Sequence, residues 1–187
     1  MARLFVALDL PDDIKQSLEI LTRGLGDVRW LAPEQQHLTL RFIGELDNGR
    51  VNDVAEALSL VPGIPFEVSL KGLGHFPPRG EPRVLWVGVE SSGELKRLKR
   101  RIDRALLQAS LPPEARKFAP HVTIARLRRS PSPHRLGSYL MRHSLYQSDP
   151  FPISSFRLYS SWLKPEGAEY HVEASYELVP GLEEELE

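Results

Sequence analysis

The chain has 187 residues, 41% hydrophobic and 26% charged, with a net charge of −1; this fits one globular domain with a real core and excludes a global positive field for nucleic acid, so any basic site must be local. Cysteine is absent, which excludes disulfides, thiolate zinc sites and thiol nucleophiles and suits a reducing compartment. Asp9 and Asp12 interrupt the first apolar run, no small-residue cleavage site follows it, and no run approaches transmembrane length, so the expected location is the cytoplasm, without membrane association.

In chain order, the aliphatic stretch RLFVALDL at 3–10 predicts a strand. Pro11, Asp12 and Asp13 then open a helix with Ile14, Leu18 and Leu21 on one side, which ends at 24–27. Residues 28–31 form a short extended piece, and 36–46 a strand. A helix follows at 50–61, with Val51, Val54, Leu58 and Val61 aligned. Strands at 66–73 and 83–90 flank the loop HFPPRGEP. Residues 92–110 make an amphipathic helix with Leu95, Leu98, Ile102, Ala105 and Leu106 inward and Lys96, Arg97, Lys99, Arg100, Arg101 and Arg104 largely outside. A strand at 118–127, a helix at 133–145 and strands at 151–163 and 169–179 complete the series, with an acidic tail at 183–187. Prolines gather between these elements, in PGIP, FPPRGEP, LPPE and SPSP. Helices and strands alternate, yet several strands are joined by short turns, which favours an α+β fold with antiparallel pairing over a doubly wound parallel sheet.

Two of the predicted strands share a grammar. HLTLRFIG carries His37 and Thr39, and PHVTIARL carries His121 and Thr123. Side chains alternate along a strand, so each His shares a face with its Thr while Leu38 and Leu40, or Val122 and Ile124, take the other. The motifs lie 84 positions apart, near half the chain, which raises the expectation of two pseudo-symmetric lobes, each with an antiparallel sheet and flanking helices, facing each other across a groove. Parity puts Arg41 beside His37 and Thr39, and puts Phe42 and Arg126 on the opposite faces unless the strands twist or bulge.

Two imidazoles at one cavity suit an acid and a base working together near neutral pH. Two Thr hydroxyls and an Arg describe a clamp for an anion such as a phosphate ester. A metal site is a weaker reading, because neither motif carries His-x-His, His-Glu-x-x-His or an adjacent acid beyond Glu34 and Glu45. No Gly-x-Ser-x-Gly elbow and no phosphate loop occurs. A single His-x-Thr is ordinarily a structural, half-buried pair, and Thr is an ordinary β-former. His75, His134, His143 and His171 lack partners in sequence and read as surface or cap residues. KRLKRRIDR reads as a solvated helix face, whereas RLRRSP leaves the second motif and is the better RNA candidate. Trp86, Tyr159 and Trp162 are core packers by default and base-stacking candidates otherwise.

The paired motifs, set among RLFVALDLP, HLTLRFIGE, RVLWVGVE, FAPHVTIAR and LYSSWLKPEGAEY in that order, resemble the two-histidine phosphoesterase superfamily, and in particular the RNA 2′,3′-cyclic phosphodiesterases of bacteria and archaea, also called 2′-5′ RNA ligases. The resemblance implies a bilobal α+β fold, with no cofactor and no metal. It implies hydrolysis of 2′,3′-cyclic phosphate at RNA ends, tRNA fragments among them, to a 2′-phosphate. It casts His37 as the proton donor to the leaving 3′ oxygen, His121 as the base that activates water, and Thr39 and Thr123 as holders of the non-bridging oxygens. Arg126 matches a basic residue near the phosphate and Phe42 an aromatic one near the base; Arg41 is a further candidate by parity. ATP-independent 2′-5′ joining would use the same pair, in a protein expected to be monomeric. The rivals are a phosphodiesterase for another cyclic or 2′-5′ nucleotide, a binding module for nucleotides or RNA ends, and a purely structural domain.

Overall fold

The structure is a computed structural model that describes residues 3–90, 92–165 and 167–180; the expected acidic tail at 183–187 lies outside the described residues. The chain forms, in order, β1 Arg3–Asp9, α1 Asp12–Leu18, β2 Val28–Trp30, β3 His37–Glu45, α2 Asn48–Ser59, β4 Phe66–Phe76, β5 Val84–Glu90, α3 Gly93–Gln108, β6 His121–Leu127, α4 Pro133–Arg142, β7 Phe151–Ile153, β8 Ser155–Lys164 and β9 Gly167–Glu177. Short side-chain acceptors start the longer helices: Asp47 accepts from the Arg50 amide, Ser92 from Leu95 and Ser132 from Arg135, each filling one of the donors a first turn leaves open.

The strands run in the order β7-β4-β5-β6-β3-β1-β8-β9, with β2 paired to β6 off that path. Neighbours pair antiparallel throughout, so the α+β class expected from the sequence is the observed one. The histidine strands β3 and β6 are the two inner strands, and Leu38 opposite Val122 joins them. Each half of the order therefore ends at the middle with a His-x-Thr strand.

One face of the sheet carries the main core. Val6 and Leu8 of β1, Leu38 and Leu40 of β3, and Val122 and Ile124 of β6 are buried there with Leu95, Leu98, Ile102 and Leu106 of α3. On the other face Phe5, Ala7 and Tyr159 form a smaller cluster against Tyr170. The site lies on that second face. No helix among the described residues is long and apolar enough to cross a membrane.

Three local expectations change. The strand expected at 151–163 is two strands: β7 pairs with β4 and β8 with β1, near opposite ends of the strand order. They part at Ser154, whose carbonyl accepts from the Leu178 amide. Lys99 is buried, at 6% exposure, because its ammonium pairs with Asp103 at 2.6 Å and lies 5.6 Å over the Phe118 ring. The third change concerns the alternation of the histidine strands and decides which side chains reach the site.

Candidate active site

Both histidine strands bulge at the same step. Ala7 faces Thr39 and Val6 faces Arg41, so Leu40 is an extra residue in β3. Trp86 faces Thr123 and Leu85 faces Ala125, so Ile124 is the extra residue in β6. An extra residue shifts the alternation by one. Leu40 and Arg41 both turn to the core side, as do Ile124 and Ala125, and the next residues, Phe42 and Arg126, turn out with the His/Thr pairs. This corrects the sequence expectation for Arg41: it is 5% exposed on the far side of the sheet, paired with Asp103 at 3.2 Å and donating to the Pro112 carbonyl. The same bulges bring Phe42 and Arg126 to the site against their parity.

The resulting groove, about 550 Å³, is lined by His37, Thr39 and Phe42 of β3 and by His121, Thr123 and Arg126 of β6. Phe5 of β1, Arg29 of β2, Leu163 and Lys164 of β8 and Tyr170 of β9 supply much of the remaining wall, with Arg3 at one end. Four of these lining residues are Lys or Arg, and no described Asp or Glu lines the groove. The chain is nearly neutral, so this is the local positive field that its composition demanded. Arg3 has a neighbour in Glu45 at 3.6 Å, and Lys164 pairs with Glu169.

His121 is fixed by its own loop. Its Nδ1 donates to the Ala119 carbonyl at 2.7 Å. A carbonyl only accepts, so Nδ1 carries the proton and Nε2 of the neutral ring carries the lone pair. The Phe76 ring meets it edge-on at 4.9 Å, with Trp86 at 6.2 Å. Burial lowers its pKa, against the pull of the Ala119 carbonyl.

His37 is held by aromatics. Its ring stacks on Phe5 at 4.8 Å, and Tyr170 meets it edge-on at 5.1 Å, with Tyr159 behind at 6.1 Å. The Pro33–Gln35 turn just before β3 presents the Gln35 carbonyl to the ring. Burial, the largest influence, lowers the His37 pKa to about 4; Gln35 and Asp9 oppose the shift, while Lys15 and His121 add to it. The two imidazoles are thus close enough to sense each other's charge. Behind them Asp9 faces His37 in register and holds Lys15 and Arg157, each at 3.0 Å.

The remaining candidates fall elsewhere. His75 bonds the Pro77 carbonyl at 2.8 Å beside a separate depression, His143 packs against Tyr139, and His171 pairs with Glu169 at 3.0 Å. His134 is exposed on α4. Trp86 and Tyr159 pack behind the histidines, while Trp162 is 48% exposed on β8. Among the described residues no three of His, Cys, Asp and Glu gather as metal ligands. A larger depression of about 740 Å³ between α2 and α3 contains no histidine. Sequence reasoning missed Phe5, Arg29, Lys164 and Tyr170. Phe5 sits in a strand buried on both faces, which gives no alternation to read, and Tyr170 reaches the groove from the far end of the chain.

An antiparallel sheet whose two inner strands each bring a His-x-Thr pair to one cationic groove defines a paired-histidine class of α+β protein. The chain belongs to the 2′-5′ RNA ligase superfamily, whose model matches residues 10–161. A protein of Archaeoglobus fulgidus named RNA 2′,3′-cyclic phosphodiesterase is 33% identical, covering 90% of this chain and 96% of its own length. A Thermotoga maritima protein of the same name is also 33% identical, over 91% of this chain and 92% of its own. Among solved structures, a Thermus thermophilus protein superposes with a TM-score of 0.77 at 29% identity, covering 94% of this chain and 97% of that one. Escherichia coli LigT complexed with 3′-AMP gives 0.78 at 20% identity over 95% and 98% of the two chains, a likeness of fold.

Proposed function

We propose that the protein hydrolyses 2′,3′-cyclic phosphate at RNA ends to a 2′-phosphate, without a metal ion, with His121 as base and His37 as acid. The observation that carries this reading is the facing pair of imidazoles in one groove, each with a Thr two residues on, in a wall that is cationic and free of described carboxylates. The names borne by the Archaeoglobus and Thermotoga relatives support the substrate class.

The chemistry follows from the groups present. His121 Nε2 takes a proton from water as the water oxygen bonds to phosphorus. The bond from phosphorus to O3′ breaks, and the His37 imidazolium gives its proton to that oxygen. The Thr39 and Thr123 hydroxyls and the Arg126 guanidinium donate to the non-bridging oxygens, where charge accumulates. Phe42, 62% exposed at the groove rim, offers a face for a terminal base. A 5′-hydroxyl in place of water would give a 2′-5′ linkage without ATP. The reading extends to tRNA fragments as substrates and to a monomer working in the cytoplasm.

The test is a short RNA ending in 2′,3′-cyclic phosphate, incubated in EDTA without ATP, with native protein and with His37→Ala, His121→Ala and the double variant. A 2′-phosphate product is expected, with each single variant losing most activity and the double falling little further, because the pair acts as a unit. A 3′-phosphate product would reverse which oxygen leaves. Loss of activity in EDTA would remove the metal-free reading, and additive losses the concerted one.

A further inference from the structure

Tyr170 lies on β9, the last strand of one half of the sheet order, yet it lines the groove together with residues of both motifs. It stands edge-on to His37 at 5.1 Å and to Phe5 at 5.2 Å. Burial raises the pKa of its phenol, and the Arg126 guanidinium, which lines the same groove, opposes that rise. β9 and β6 belong to opposite halves of the strand order, so Tyr170 and Arg126 enter the groove from its two sides. The β9 backbone is itself tied down at this level, because Gln35 Nε2 donates to the Ala168 carbonyl at 2.7 Å.

We infer that Tyr170 is a positioning residue that works in two separable ways: its phenol orients Arg126 toward the phosphate, and its ring walls His37 off from water. This rests on the proposed phosphodiesterase reading only for its kinetic half. The first role belongs to the hydroxyl, since an unanchored guanidinium on a long side chain loses more rotamer freedom when it meets an anion. The second belongs to the ring, which covers the imidazole edge not covered by the stack on Phe5.

Tyr170→Phe and Tyr170→Ala separate the two. In Tyr170→Phe the ring stays and the hydroxyl goes, so KM for the cyclic-phosphate RNA should rise about tenfold, the loss of one modest charge-assisted bond, with kcat within about twofold. In Tyr170→Ala the cover goes as well. The His37 imidazole, followed by NMR in the unliganded protein, should then titrate at least about one pH unit higher than in the native protein. The groups facing His37 from its neighbours are Asp9 of β1, Lys15 of α1, His121 of β6 and Tyr159 of β8; none is altered by either substitution, so the shift reads the lost cover. In Tyr170→Phe the His37 titration should stay in place. An unchanged KM in Tyr170→Phe overturns the Arg126 role. A His37 titration unmoved in Tyr170→Ala overturns the cover role. The NMR readout needs no turnover, so native protein that fails to cleave the RNA while His37 still responds to Tyr170→Ala would sink the phosphodiesterase reading and leave the cover role standing.

Discussion

Replacing Asp103 should cost far more stability than replacing Arg41, although the two form one ion pair. Asp103 receives Arg41 Nη1 at 3.2 Å and Lys99 Nζ at 2.6 and 2.7 Å. Lys99 has a second carboxylate in Glu114 at 3.7 Å. Among the described residues Arg41 has no second carboxylate, only the Pro112 carbonyl, and its Nε is buried without a partner. Asp103→Ala therefore leaves a guanidinium 5% exposed with no counter-charge, at a cost of about 3–5 kcal/mol, toward the lower end because water already reaches the Asp103 side chain. Arg41→Met removes the cation together with its demand. Asp103 keeps Lys99, and the main loss is the bond to the Pro112 carbonyl, about 1–2 kcal/mol. Urea unfolding followed by tryptophan fluorescence measures both, provided the slope against denaturant stays constant. Adding Arg41→Met to Asp103→Ala should recover stability, since it removes the stranded charge. The reasoning is refuted if Arg41→Met costs as much as Asp103→Ala, or if the double variant is the least stable of the three.

Two further expectations follow from the groove walls. The His37 pKa of about 4 lies below the 6.5 of an unfolded chain, so the unfolded state binds the extra proton between those values and stability rises with pH through that window, is complete above it and is lost below it. Between pH 7 and 4.5 this one group removes about 2 kcal/mol; urea midpoints at the two pH values should differ less in His37→Gln than in native protein, and equal differences would reject the assignment. At Gly74 an added Cβ would fall 2.2 Å from the Trp86 indole, the ring that backs His121. Gly74→Ala should cost about 1–3 kcal/mol through overpacking and lower kcat by moving His121; full activity at native stability would show that the indole yields freely.

Period-two alternation made the His/Thr faces legible, because Leu38 and Val122 alternate with them in both strands. The helix at 92–110 was legible from its apolar spacing and its Ser92 start. The bulges were not. Leu40-Arg41 and Ile124-Ala125 contain no glycine, and either register buries an aliphatic residue, so nothing local reveals the slip. What betrays it is tertiary: Arg41 finds Asp103 and Pro112 beneath the sheet, and Ala125 at the matching step of β6 is small enough to be buried there without a partner. The burial of Lys99 is only half local: Asp103 lies one turn on in the same helix, but Glu114 and the Phe118 ring that cover the ammonium come from beyond the helix end. Tyr170 was invisible because its strand faces the groove only after β8 and β9 fold back along β1.

A histidine whose pKa is about 4 is a poor acid at neutral pH until something changes its surroundings, and the substrate is that change. Burial disfavours the imidazolium, and Lys15 and His121 oppose it further. A cyclic phosphate keeps one negative charge across the whole range, and its entry both offsets Arg126 and stabilises a proton on His37. The pH profile of kcat/KM reports the free protein, and that of kcat the complex. For kcat/KM the limbs should fall at about 4, from His37, and below 6.5, from the lowered His121. For kcat the bell should move to higher pH, since the anion favours the charged form of both rings. Steady-state rates on the cyclic-phosphate RNA from pH 3.5 to 8 would measure both profiles. Coincident profiles would mean that the bound phosphate does not sense the imidazoles, and the acid–base pairing of His37 with His121 would then have to be abandoned.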